Sequence, residues 1–152
     1  MDNIARQRLL ALKAQQKRKE LHDAHTAALT QLKQENPNFG CRYRLADPEE
    51  TAITLAIAGS LPYSAPGQPT PLFSQPTNMD TAVLPTYPVH LVFLLGNEAL
   101  ANIVLEGSAQ DILDARDDWE SICPRLLLID QPQQIGWILD FEDGTVSRFK
   151  WN

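Results

Sequence analysis

Residues 3–36 contain neither glycine nor proline and are dense in Ala, Leu, Gln, Lys, Arg and Glu. These are strong helix formers, so the stretch predicts one uninterrupted helix. Asp2 or Asn3 can cap its start, and Asn36-Pro37 ends it. At a rise of about 1.5 Å per residue it is about 50 Å long, longer than the rest of the chain is expected to be wide. Its apolar face runs through Leu10, Ala14, Leu21, Ala24, Ala28 and Leu32, widened by Leu9, Leu12 and Leu29. The middle, residues 15–20, reads QQKRKE and has nothing to bury. The expectation is therefore a helical arm whose two ends pack on the body. Its middle is solvated or lies against a partner. Self-association through this helix, as a homodimer, is an open possibility, although the stripe is Ala-rich and short of clean heptads. Lys13, Lys17, Arg18 and Lys19 form a basic patch, but no aromatic side chain is interleaved to stack on bases, which argues against nucleic acid.

Charge divides at the same point. Residues 1–36 carry seven basic and four acidic side chains, a net +3, and residues 37–152 carry six basic and fifteen acidic ones, a net −9. A basic arm (1–36) is thus joined to a single acidic domain (37–152). With 152 residues the chain can bury a core of its own. The acidic body repels phosphate backbones.

The clearest strand signals lie towards the C-terminus. Residues 89–95 form an apolar run turned by Gly96-Asn97, with a return strand at 101–105. Ser108 followed by Asp111 opens a helix that runs to about Ile122, before Pro124. Residues 126–129 read as a strand. Residues 135–141 and 145–151 form a hairpin about Glu142-Asp143-Gly144, with Ile135, Trp137, Leu139 and Phe141 on one face and Phe149 and Trp151 across from them. Earlier, residues 41–45 suit a short strand. Residues 51–58 alternate with Ile53, Leu55 and Ile57 on one side, which predicts a half-buried strand; a helix opening at Pro48 is the competing reading. The fold class is α+β: a mostly antiparallel sheet, a long N-terminal helix and a second, shorter helix.

Residues 60–88 hold seven of the eleven prolines. Proline removes a backbone donor and fixes φ, so this is neither a helix nor a central strand. Leu61, Tyr63, Leu72, Phe73, Val83, Leu84 and Tyr87 punctuate it, so the expectation is an ordered loop pinned to the body, with a short edge strand at 82–84.

Chemistry is sparse. No apolar run is long enough to span a membrane and no secretory signal opens the chain, which reads as cytoplasmic. Cys41 and Cys123 are far apart and outside any CxxC, so they read as reduced thiols. His22 and His25 share a helix face, but Asp23 points elsewhere, so they read as exposed side chains with no metal. His90 sits in an apolar strand and reads as a hydrogen-bonded structural histidine. No nucleophile, metal or phosphate-binding motif is present, so no enzyme, catalytic residue or cofactor is expected.

The most pointed feature is acidic. Asp111, Asp114, Asp117, Asp118 and Glu120 fall within ten residues, with Arg116 as partial compensation. On one continuous helix Asp114 and Asp118 stack at i, i+4, which costs about 0.2–0.5 kcal/mol. Such a face can serve solubility, or it can dock a basic partner. Asp140, Glu142 and Asp143 at the hairpin tip would extend it, and Trp119 would be either a buried anchor for the partner or core. The leading expectation is a small stoichiometric binding protein of the immunity-protein type, which neutralises a basic, toxin-like or nuclease-like partner. The alternative is an assembly adaptor or secretion-type chaperone that works through the long helix. The third is a small-molecule site near Tyr63, Phe73, Tyr87 and His90.

Overall fold

Helix α1 runs from Asn3 to Glu35, starting where Asp2 accepts the Ile4 amide at 3.3 Å. The computed structural model describes residues 2–35, 43–60, 72–73, 75–94 and 102–151. The turns expected at 36–40 and 96–97, Cys41 and residues 61–71 lie outside them. Only the C-terminal part of α1 packs. Leu29 and Leu32 are buried, whereas residues 2–24 are exposed throughout. Leu9, Leu10 and Leu12, expected to anchor the first end, are 45–62% exposed. Their stripe meets no facing element among the described residues, and a continuous helix cannot bend back to bring it home.

Among the described residues eight strands make one antiparallel sheet. They are β1 (Arg44–Leu45), β2 (Leu72–Phe73), β3 (Thr77–Asn78), β4 (Pro88–Phe93), β5 (Val104–Ser108), β6 (Arg125–Asp130), β7 (Ile135–Asp140) and β8 (Thr145–Lys150). The order is β1-β5-β4-β6-β7-β8-β2, with β3 also on β8. The α+β class expected from the sequence is the one observed. The return strand starts three residues later than expected. Strand pairing at 72–73 and 77–78 replaces the strand expected at 82–84. Residues 82–85 are instead tied to the following helix, because Leu84 donates its amide to Gln110 Oε1 at 3.1 Å.

Both faces of the sheet are covered. On one, Leu29 and Leu32 of α1 join Ile112, Leu113 and Trp119 over Leu91, Leu105, Leu128 and Leu139. On the other, Leu55 and Ala58 lie over Val92, Val104, Leu127 and Phe149. This second cover corrects the strand expected at 51–58, which is helix α2 (Pro48–Ser60). Asp47 accepts the Glu50 amide at 2.9 Å, Pro48 supplies a preset φ, and Glu49 and Glu50 sit at the positive end of the helix. Those start signals outweigh the period-two alternation. Thr54 and Ala58 then face inward, four residues apart.

The helix expected after residue 107 is two helices, α3 (Ala109–Asp114) and α4 (Arg116–Ile122), broken at Ala115 with φ −113° and ψ 29°. Ser108 occupies the cap position without making the side-chain bond; its hydroxyl faces the Pro85 carbonyl at 3.5 Å.

The C-terminal hairpin is present, but its register differs by one residue. Asp140 pairs with Thr145 across a four-residue turn, so Leu139 opposes Val146 and Gly136 opposes Phe149. A one-residue shift flips every side chain, and Phe149 and Trp151 therefore lie on the opposite face from Trp137 and Leu139. Gly144, at φ +67°, takes the left-handed position that the turn needs. No described helix is long and apolar enough to cross a membrane.

Candidate functional site

The interruption at Ala115 reorganises the acidic segment. Asp117 and Asp118 occupy the first turn of α4, where the helix dipole favours them. The stacking of Asp114 under Asp118 belongs to a continuous helix, and the break falls between them. Asp114, Asp117 and Glu120 are exposed, while Asp111 and Asp118 are half-buried. Arg116 donates to Asp80 on the turn after β3, and this bond followed by the charge of Asp80 raises the guanidinium pKa. The Met79 amide donates to the Gly144 carbonyl at 2.9 Å, and the Phe141 amide to the Pro124 carbonyl at 3.0 Å. Turn 79–80, helix α4 and the hairpin tip are thereby tied together, with Glu142 and Asp143 exposed at the tip.

Asp140 is engaged within its own turn. It accepts the amides of Glu142 and Asp143, each at 3.1 Å, and pairs with Arg125 Nε at 3.1 Å. Its side chain is only 14% exposed. It builds the turn that presents the other two acids. Asp140→Ala is expected to lower stability by about 1–2 kcal/mol, because two amides lose their acceptor. Glu142→Lys with Asp143→Lys should leave stability within about 0.5 kcal/mol. Urea denaturation of both variants checks the contrast.

A second site lies on the face covered by α2. A groove of about 400 Å³ is lined by Glu50, Tyr87, His90, Glu106, Asp130 and Gln133, among others. His90 on β4 directly opposes Glu106 on β5, which puts both side chains on one face of the sheet. Glu50 comes from the first turn of α2, with its Oε2 3.5 Å from His90 Nε2. The other imidazole nitrogen, Nδ1, is 2.7 Å from the hydroxyl of Thr54, which is fully buried. Glu106 Oε1 accepts from Arg44 Nη2 at 2.7 Å, and this bond, then the charge of Glu106, raises the Arg44 pKa. At the far side Tyr87 donates to Asp130 Oδ2 at 2.6 Å. That bond, with some burial, lifts the phenol pKa.

The structural histidine read at position 90 is hydrogen-bonded to Thr54, and it also stands among two carboxylates. Nothing in the sequence reading singled out Glu50 or Glu106. The available signal was a lone Glu within the apolar strand around residues 103–107. Of the four residues expected near a small-molecule site, Tyr87 and His90 do line this groove; Tyr63 is outside the described residues. His22 is exposed as expected, whereas His25 is half-buried and its pKa is lowered by burial and then by His22. Both border a separate cavity of about 270 Å³ between α1 and α2. Trp119 is fully buried and belongs to the core. Cys123 is buried, and its thiol donates to the Arg125 carbonyl at 2.8 Å. No protein-family model and no curated protein matches the chain.

Proposed function

We propose that the protein is a stoichiometric binding protein that docks a basic protein partner through α3, α4 and the 140–144 tip. The finer form of this reading is a cytoplasmic inhibitor of the immunity-protein type, acting on a cationic, toxin-like or nuclease-like protein. The observation that carries it is the tying of the Asp80 turn and the hairpin tip to α4, alongside exposed Asp114, Asp117 and Glu120. Acids on neighbouring elements sum into one field, and such a field steers a cation to the surface and raises its association rate about 10- to 1,000-fold.

The test is partner capture at low salt, identification by mass spectrometry, and binding kinetics on the purified pair. The partner is expected to be basic. Asp114→Lys, Asp117→Lys and Glu120→Lys together should slow association at least about tenfold at low salt and flatten its salt dependence. Unchanged kinetics with unchanged salt dependence would sink the reading.

One observation favours the adaptor reading as a second possibility. Ile4, Leu9, Leu10, Leu12 and Leu21 are all 45–62% exposed along α1. Light scattering separates the two. A dimer that dissociates when residues 1–20 are deleted supports the adaptor; a monomer indifferent to that deletion supports the acidic-face inhibitor.

A further inference from the structure

We infer that Glu50, His90 and Glu106 form a binding site for a divalent transition-metal ion of the zinc type, separate from the acidic face. Three elements far apart in sequence deliver these side chains to one end of the groove. Their ligand atoms, one imidazole nitrogen and one oxygen from each carboxylate, all lie within 4.8 Å of one another. The 3.5 Å between His90 Nε2 and Glu50 Oε2 is long for an N–H···O bond. It matches the edge of a tetrahedron with metal–ligand bonds of about 2.0–2.2 Å, where neighbouring ligands stand about 3.3–3.6 Å apart.

Orientation points the same way. Thr54 is the buried polar side chain on the inward face of α2, at a position flanked by Thr51, Leu55 and Ala58. Its hydroxyl engages Nδ1 at 2.7 Å and leaves Nε2 facing the carboxylates. Metal-bound histidines are held in this way, with the second ring nitrogen fixed by a hydrogen bond from outside the ligand set. When Nδ1 carries the proton, the Nε2 lone pair and the Glu50 carboxylate are two acceptors that face each other. A cation between them resolves that repulsion.

Charge and access also fit. Arg44 holds Oε1 of Glu106 from a side chain that is 75% exposed, and Glu106 has a second oxygen for a metal. With a neutral imidazole the two carboxylates and Arg44 sum to one negative charge, so a dication brings the group to one positive charge. One nitrogen and two oxygen ligands suit zinc better than calcium or magnesium, which take six or more oxygens. The open groove leaves a fourth position for water or a small anion.

The experiment is calorimetric titration of zinc chloride into the full-length protein after removal of metal with a chelator. One saturable site of low-micromolar dissociation constant or tighter is expected, with a rise in melting temperature. Glu50→Gln and Glu106→Gln are near-isosteric and should each weaken binding at least tenfold, with an unchanged circular dichroism spectrum. Thr54→Val should weaken it by about tenfold through loss of ring orientation. His22→Ala with His25→Ala should leave it unchanged. Cobalt substitution should show the visible bands of a low-coordinate nitrogen and oxygen site, lost in Glu50→Gln. No saturable binding up to about 100 μM zinc would overturn the assignment and leave the cluster as a hydrogen-bond network. So would unaltered affinity in the two Glu→Gln variants, or loss of binding in the His22/His25 variant.

Discussion

Truncation of Trp119 to alanine is expected to remove about 3–5 kcal/mol of stability, the range for a large aromatic taken from a closed core. The indole is fully buried. It meets Tyr43 edge-on, with centroids 5.4 Å apart, and Phe93 at 6.1 Å. Helix α4 has only seven residues, too few to hold itself in water, so its place on the sheet depends on this side chain. Domains of this size are stable by about 5–15 kcal/mol, so the loss is a large share of the total. Urea denaturation should show a lower midpoint with an unchanged slope. Trp119→Phe keeps an aromatic body and should cost clearly less. Because the ring reaches no solvent, that variant should bind the proposed basic partner as tightly as the parent. A selective loss of partner binding in a stable Trp119→Phe protein would instead make Trp119 part of the interface.

Gly136→Ala is expected to be nearly as costly, by about 2–3 kcal/mol or more, through overpacking rather than a cavity. A Cβ at this position would stand 2.4 Å from Phe149 Cζ and 2.7 Å from the Leu128 carbonyl oxygen. The ring belongs to a flexible side chain, but it is fully buried. The carbonyl belongs to the central strand β6 and cannot move without disturbing the ladder to β7. Gly136 is therefore the gap into which Phe149 of the facing strand lays its ring. Phe149→Leu vacates part of that space, so the double variant should lose less than the sum of the two single variants. A coupling energy of about 1 kcal/mol or more in a denaturation cycle would show the contact. Strict additivity would mean that the strain sits on the Leu128 backbone alone.

The parts of the fold that were legible in the sequence have strong local signals. α1 has its helix formers and caps. The β7–β8 hairpin has Asp-Gly at its turn, and β6 has an unbroken apolar run. The strand expected at 51–58 rests on Ile53, Leu55 and Ile57, whose spacing of two mimics strand alternation, although Asp47-Pro48-Glu49-Glu50 carries the start signal of helix α2. The hairpin register turned on whether the turn held three residues or four, a choice made by the two amides that Asp140 accepts. The acidic run was visible as composition. Its separation into Asp114, Asp117 and Glu120, exposed, and Asp111 and Asp118, half-buried, was not.

By itself the sequence determined a long basic helix, an acidic α+β body with an antiparallel sheet, and the concentration of acids between residues 111 and 120. Those properties come from neighbours along the chain, where propensity, capping and charge act over one or two turns. Only the tertiary structure decided that α1 buries just its last turns, that the acidic helix breaks at Ala115, and that Glu50, His90 and Glu106 meet in one groove. These depend on which strands lie side by side and which helix covers them. Strand order and register bring together groups that stand 40 and 16 residues apart, and no local pattern records that meeting.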